Sequence, residues 1–261
     1  MNIKSAKFVK SFVVVVFGMV VSSTAFASSF SVDDFPKMFL DGFKRFIFLL
    51  GNGSTNTVSP KFVDNFDGYS LKYYLDGESF GSWLDVFGGY GSVGIESDGS
   101  NNFLHLSPKI ADSSDKMYSS LVTDPSYSGA ITFESKIMTV AQLRTRSTPN
   151  AWEVAWVVWN YSDNDHFYYF ITKPNGWELG KRDSNYPGEQ RFLSTGDDKL
   201  FPIGNWYNVK ITQDSSNLIS VWVDGSLITT FTDKETPYTS GNIGFYTEDA
   251  HVHVDDVKVW E

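Results

Sequence analysis

The residues able to do chemistry concentrate between Asn150 and Leu193, where four of the eight tryptophans fall: Trp152, Trp156, Trp159 and Trp177. Tyr161, Tyr168, Tyr169, Glu153, Lys173, Glu178, Lys181, Arg182 and Arg191 share the stretch. Indole and phenol rings beside carboxylates and cations suit a sugar: pyranose C–H surfaces stack on the rings while hydroxyls take charged hydrogen bonds. Trp159, Tyr161, Tyr168, Trp177, Lys173 and Arg191 are the expected ligand-binding residues, together with Glu248 and His251 further along. Glycoside hydrolysis needs two carboxyl groups across the scissile bond. Glu153, Glu178 and Glu248 are the acidic residues nearest the aromatic positions, and Glu153 with Glu178 is the catalytic pair we take forward. A lyase would instead need a base such as His251 or Tyr168 and a carboxylate neutraliser such as Arg144 or Arg191. No nucleophile elbow, H-E-x-x-H motif, P-loop or dinucleotide fingerprint occurs.

The elements that hold these residues read at period two. Ala151–Asn160, Asp165–Lys173 and Gly176–Arg182 are expected strands, joined by Ser162–Asp165 and Pro174–Gly176 as turns. In the first, Glu153, Ala155, Val157 and Trp159 share one face, and Trp152, Val154, Trp156 and Val158 the other. One core absorbs only one face, so the second meets a ligand, a partner or a groove. We place Glu153 and Trp159 on the groove side and Trp156 in the core.

Around this stretch the chain is rich in short strands. Lys61–Phe66, Ser92–Glu96, Phe103–Ser107, Met117–Thr123 and Ala130–Val140 precede it. Trp206–Gln213, Leu218–Val223, Ser226–Phe231, Asn242–Thr247 and His251–Trp260 follow, with Asp224-Gly225 a hairpin signal. Such spacing, with no later helix, implies an all-β, two-sheet antiparallel jelly-roll sandwich over residues 61–261.

Upstream, residues 1–27 read as a secretory signal: Lys4, Lys7 and Lys10, an apolar run Phe12–Val21, and Ala25-Phe26-Ala27 for cleavage. The expected location is secreted, extracellular or periplasmic, with no transmembrane segment in the mature chain. Residues 28–51 hold one amphipathic helix, Ser31–Leu50, with Phe35, Phe39, Phe43, Phe46 and Leu50 on one face. It would dock on the sandwich or mediate self-association. Residues 52–60 are a polar linker. The formal charge is −10, and since three lysines fall in the leader, the mature chain is more acidic still. That argues against nucleic acid as a partner. There is no cysteine and therefore no disulfide framework.

Asp64 in the first strand and Asp255-Asp256 in the last belong together, because terminal strands of jelly rolls commonly pair. Apolar parity switches between Val252/Val254 and Val257/Val259, which a bulge at Asp255–Asp256 would explain. Two facing aspartates would want a cation such as Ca²⁺ between them; solvated edge carboxylates are the plainer alternative. His251-x-His253-x-Asp255 offers zinc-type ligands on one strand face, although surface or groove histidines are the simpler reading in a chain with few histidines.

The runs W-E-V-A-W-V-V-W, D-H-F-Y-Y-F-I-T-K-P-N-G-W-E-L-G-K, F-P-I-G-N-W-Y-N-V-K-I and T-S-G-N-I-G-F-Y-T-E-D-A-H-V-H-V-D-D-V-K-V resemble the concanavalin A-like lectin/glucanase superfamily. Within it the chain is most similar to 3-keto-disaccharide hydrolase-like (family-16-type) secreted domains. The resemblance implies a jelly roll with a sugar-binding concave face and a structural Ca²⁺ on the other side, the matching positions being Asp64, the Gly99 turn and Asp256. The E-x-D-x-E strand of laminarinase-type enzymes is missing, Glu153-Val154-Ala155-Trp156-Val157 standing where it might be sought. The leading expectation is a secreted carbohydrate-binding domain for a poly- or oligosaccharide. The alternatives are a polysaccharide-cleaving hydrolase or lyase in the same groove, and a structural assembly protein.

Overall fold

The structure, a computed structural model, describes residues 58–111, 116–145 and 147–261. The leader, the Ser31–Leu50 helix and most of the linker lie outside the described residues. Every regular element among those described is a strand, and all pairings are antiparallel. No described helix is long and apolar enough to cross a membrane.

The strands alternate between two sheets. The first sheet contains β1 (Phe62–Asp64), β2 (Lys72–Tyr74), β5 (Ser92–Ser97), β6 (Asn102–Ser107), β9 (Ile131–Gln142), β14 (Tyr207–Gln213), β15 (Leu218–Val223), β16 (Ser226–Thr232) and β18 (Ala250–Trp260). The second contains β3 (Ser79–Phe80), β4 (Trp83–Phe87), β7 (Tyr118–Thr123), β10 (Ala155–Asp163), β11 (His166–Lys173), β12 (Gly176–Asp183), β13 (Gln190–Gly196) and β17 (Ser240–Glu248), with β8 (Tyr127–Ser128) beside β17. Their orders are β16-β15-β14-β9-β18-β6-β5-β2 and β13-β12-β11-β10-β17-β7-β4-β3. This is the jelly-roll sandwich expected from the strand spacing.

The core lies between the sheets and takes alternate residues from each strand. β10 supplies Ala155, Val157 and Trp159, β11 Tyr168 and Phe170, and β12 Trp177 and Leu179. From the other sheet come Ile131, Phe133 and Ile137 of β9, Val209 and Ile211 of β14, and Val252, Val254, Val257 and Val259 of β18. The terminal strands pair as the sequence suggested, with Phe62 opposite Val259 and Asp64 opposite Val257. The parity switch in β18 is a bulge: the register slips between Asp255 and Lys258, and Asp256 has a φ of 50°. The slip turns Val257 and Val259 back into the core. Asp224 and Gly225, at φ 49° and 75°, form the tight β15–β16 turn.

Polar cross-braces tie the layers together. Trp159 Nε1 and Asn160 Nδ2 both donate to Gln213 Oε1, at 3.0 Å each, joining β10 to β14. Lys181 is fully buried, donating to Asp233 Oδ2 (2.9 Å) and to the carbonyls of Glu235 and Thr236 (3.0 and 2.9 Å). A buried ammonium persists only where such partners replace water.

A candidate binding groove on the outer face of the second sheet

The central stretch is two-faced as expected, but the faces are exchanged. Trp159 is 0% exposed and stacks on Tyr168 at 5.4 Å between the sheets. Tyr168 donates its phenol proton to Asp233 (2.6 Å), and Trp177 packs in the same core with Nε1 on Asp198 (2.9 Å). The expected ligand-binding roles of Trp159, Tyr168 and Trp177 are therefore corrected: all three are core residues. The physical reason is parity. Trp159 travels with Ala155 and Val157 into the core between the sheets, and Val154, Trp156 and Val158 travel together on the opposite face. Glu153 misled the assignment, because it precedes β10 and is itself buried, held by Arg144 Nε and Asn150 Nδ2 at 2.7 Å each.

On the sheet's other face lies a second apolar cluster of buried side chains, Val154, Trp156, Val158, Phe167, Tyr169 and Ile171, with the partly buried Tyr161 and Tyr246 packed against it. Register aligns part of it into a row across four strands: Glu178 opposite Ile171, Ile171 opposite Trp156, Trp156 opposite Tyr246. Trp156 lies 4.6 Å from Tyr169 and 5.1 Å, edge-on, from Tyr246. Trp156, Tyr161, Phe167 and Tyr246 help line a cavity of about 320 Å³, which Lys116, Arg182, Gln190 and Glu248 edge with polar groups.

Those polar groups are paired. Tyr169 donates to Glu178 Oε1 (2.8 Å) and accepts from Gln190 Nε2 (2.6 Å), while Lys173 Nζ holds Glu178 Oε2 at 3.1 Å. Glu248 Oε1 accepts from Tyr246 (2.7 Å) and Lys116 (2.8 Å). Burial, and then the charge of Glu178 on Tyr169 and of Glu248 on Tyr246, pushes both phenols up, so both stay protonated donors. Tyr161, Lys173, Glu178 and Glu248 thus sit on the groove face. Arg191 does not: it pairs with Glu235 (3.1 Å) and Asp233 (3.8 Å) at the β13 edge. The residues that sequence reasoning missed are Trp156, Tyr246 and Gln190. The parity of Tyr246 with Glu248 on β17 was the available signal for Tyr246.

The two glutamates of the expected catalytic pair stand in separate ion pairs. Glu153 and Glu178 lie two strand spacings and several residues apart, on the order of 14 Å between backbones, and each has its own cation, Arg144 or Lys173. Glu178 and Glu248 are separated by three strand spacings, again roughly 14 Å.

His251 faces away from the groove, on the outer face of the first sheet. There Glu96, His105, His251 and His253 bring ligand atoms within 4.8 Å of one another, a group that could hold a metal ion. The Asp64–Gly99–Asp256 set does not fit Ca²⁺ as built. Asp64 already accepts from Phe66 N, Tyr69 Oη and Trp83 Nε1 at 2.8–2.9 Å, and Asp256 pairs with Lys136 at 2.6 Å. Proton donors occupy the lone pairs that a hard cation would need. The Gly99 turn does reach the last strand, through Asn101 Nδ2 on Asp255 (3.0 Å).

Residues 74–260 match the model of the 3-keto-alpha-glucoside-1,2-lyase-like domain, well over half of the chain. A carbohydrate-binding module, CBM66 from Bacillus subtilis, superposes with a TM-score of 0.51 at 15% identity, covering 69% of this chain and 96% of that one. A structure from work on endo-acting O-glycanases, with which prominent members of the human gut microbiota initiate mucin breakdown, gives 0.51 at 14% identity, covering 77% and 98%. At these identities the likeness is one of fold. No curated protein matches the sequence.

Proposed function

Since the chain belongs to the family of 3-keto-alpha-glucoside-1,2-lyase-like domains, we propose that it is a secreted carbohydrate-binding domain. It takes a poly- or oligosaccharide on the outer face of the second sheet. The observation that carries the reading is the packed group Trp156, Tyr161, Phe167 and Tyr246, with Trp156 6% and Phe167 7% exposed, lining a 320 Å³ cavity edged by Lys116, Arg182, Gln190 and Glu248. Rings take the apolar sugar face, and fixed polar groups at the edge take the hydroxyls. CBM66, a carbohydrate-binding module on the same fold, supports the same substrate class. Titration of the chain with a polysaccharide panel tests it: saturable binding, weakened about tenfold in Trp156→Ala if stacking is worth roughly 1.4 kcal/mol, is expected. Binding unchanged by that substitution would remove the groove from the account.

A second reading rests on the family description, a lyase acting on a 3-keto-α-glucoside. Elimination needs a base for the proton beside the carbonyl, not a carboxylate pair. Glu248, beside Trp156 and hydrogen-bonded to Tyr246, is the groove carboxylate in reach. Product release from 3-keto-glucosides, lost in Glu248→Gln, would favour this reading over binding alone. Export rests on the leader pattern, and mass spectrometry of the mature protein should find Ser28 at its N-terminus.

A further inference from the structure

We propose that Glu96, His105, His251 and His253 form a closed, tetrahedral site for a divalent transition-metal ion of the zinc class on the outer face of the first sheet. The site lies on the sheet opposite the groove and is independent of the proposed sugar binding.

Three of the four histidines of the chain meet here. Neighbouring strands bring them together: His105 on β6 stands opposite His253 on β18, and His251 is two residues back on the same face. Glu96 comes from β5, alongside β6. His251 Nε2 lies 3.0 Å from His105 Nδ1 and 2.9 Å from His253 Nε2. Glu96 Oε2 lies 3.2 Å from His105 Nδ1 and 3.7 Å from His253 Nε2. A tetrahedral zinc ion with Zn–N bonds of ~2.0–2.1 Å sets its ligand atoms about 3.3 Å apart. The observed separations straddle that value.

Without a cation the arrangement is poorly satisfied. A neutral imidazole nitrogen either carries one proton or offers one in-plane lone pair. His251 Nε2 faces two nitrogens at once, and a single proton or lone pair serves only one of them well. A cation at the centre accepts all four donors. The chemistry of the set agrees, since three imidazoles and one carboxylate suit zinc and its neighbours, while calcium and magnesium prefer oxygen.

An outer shell is already in place. Ser92 Oγ is 2.8 Å from His105 Nε2, which leaves Nδ1 free to ligate. Tyr73 donates to Glu96 Oε1 at 2.6 Å, which leaves Oε2 for the ion. Phe103 packs on the His253 ring at 4.1 Å, with Trp206 beyond at 6.3 Å, so one wall is apolar. Such partners orient ligands and sharpen affinity. Four protein ligands leave no open position, as in structural zinc sites.

The test uses untagged, chelator-dialysed full chain titrated with Zn²⁺ and, separately, Co²⁺ at pH 7.5. One Zn²⁺ per chain is expected by calorimetry and elemental analysis. Zn²⁺ at ~100-fold above Kd should raise Tm by about 5–10 °C, and Co²⁺ should give the intense visible bands of a tetrahedral ion. His251→Ala, a half-buried position, and Glu96→Gln should lose more affinity than Tyr73→Phe, for which ~10–100-fold is expected. His166→Ala, at the remaining histidine, should bind as the wild type does. No stoichiometric Zn²⁺ binding, an octahedral Co²⁺ spectrum, or wild-type affinity in both His251→Ala and Glu96→Gln would overturn the proposal. Sugar binding serves as the independent readout: its loss or retention reports on the groove alone.

Discussion

Asp85 gives a prediction whose sign and size follow from its surroundings. It sits on β4 opposite Leu121 and is fully buried, with no geometric hydrogen-bond partner for either carboxylate oxygen. Burial, and after it the charge of Asp76, pushes its carboxyl up from 3.8 to about 7; the nearby Phe87 amide offsets only part of this. Because the folded value is the higher one, the native state keeps a proton that the unfolded chain releases. Its stability contribution is intact below 3.8 and is lost as pH rises through about 7. At ~1.4 kcal/mol per pH unit the loss is about 4 kcal/mol. Asp85→Asn removes the titration while keeping the shape. An unpaired buried amide has its own cost, but that cost does not depend on pH. The stability of Asp85→Asn relative to wild type should therefore climb by up to about 4 kcal/mol between pH 4 and pH 7 and then level off. Urea denaturation of both proteins at pH 4, 5.5, 7 and 8, extrapolated linearly to water, reads this directly. Parallel pH profiles, or an advantage that shrinks as pH rises, would refute the reasoning.

Three further outcomes are expected. Trp159→Ala should cost about 3–5 kcal/mol by urea denaturation, because it empties a fully buried indole site and strips Gln213 of a donor. Lys181→Met should cost about 3–5 kcal/mol, since it leaves Asp233 buried beside Tyr168 without its ammonium. Gly94→Val should destabilise or misregister the β2–β5 pair, because a Cβ there would stand 2.2 Å from the Lys72 carbonyl; amide exchange of β2 would report it.

Most of the fold was legible because strand parity and turn chemistry are local. The β15–β16 hairpin, the pairing of first and last strands and the bulge at Asp256 all followed from such signals. The short strands Lys72–Tyr74, Ser79–Phe80, Tyr127–Ser128 and the longer Trp83–Phe87 and Gln190–Gly196 were not read, because two or three residues carry no periodicity and Phe192 and Leu193 break it. The groove was legible as a two-faced pattern but not as a choice of face. Period two says which residues travel together, and the side they face depends on Gln213, Asp233 and Asp198, contributed by distant strands and loops to cap Trp159, Tyr168 and Trp177. Half of the histidine cluster was legible as His251-x-His253 on one strand face, but His105 and Glu96 needed β5 and β6 laid beside β18, a pairing that spans some 150 residues.

The central claim is that Trp156, not Trp159, belongs to a saccharide-binding surface. Calorimetric titration of wild type and Trp156→Ala with whichever polysaccharide the panel identifies, alongside thermal unfolding of Trp156→Ala and Trp159→Ala, tests it most directly. The account predicts that both variants lose stability, since Trp156 is 6% and Trp159 0% exposed, and that folded Trp156→Ala binds about tenfold more weakly. A Trp156→Ala protein that folds and binds as tightly as wild type, or a wild type that binds no polysaccharide in the panel, would contradict it.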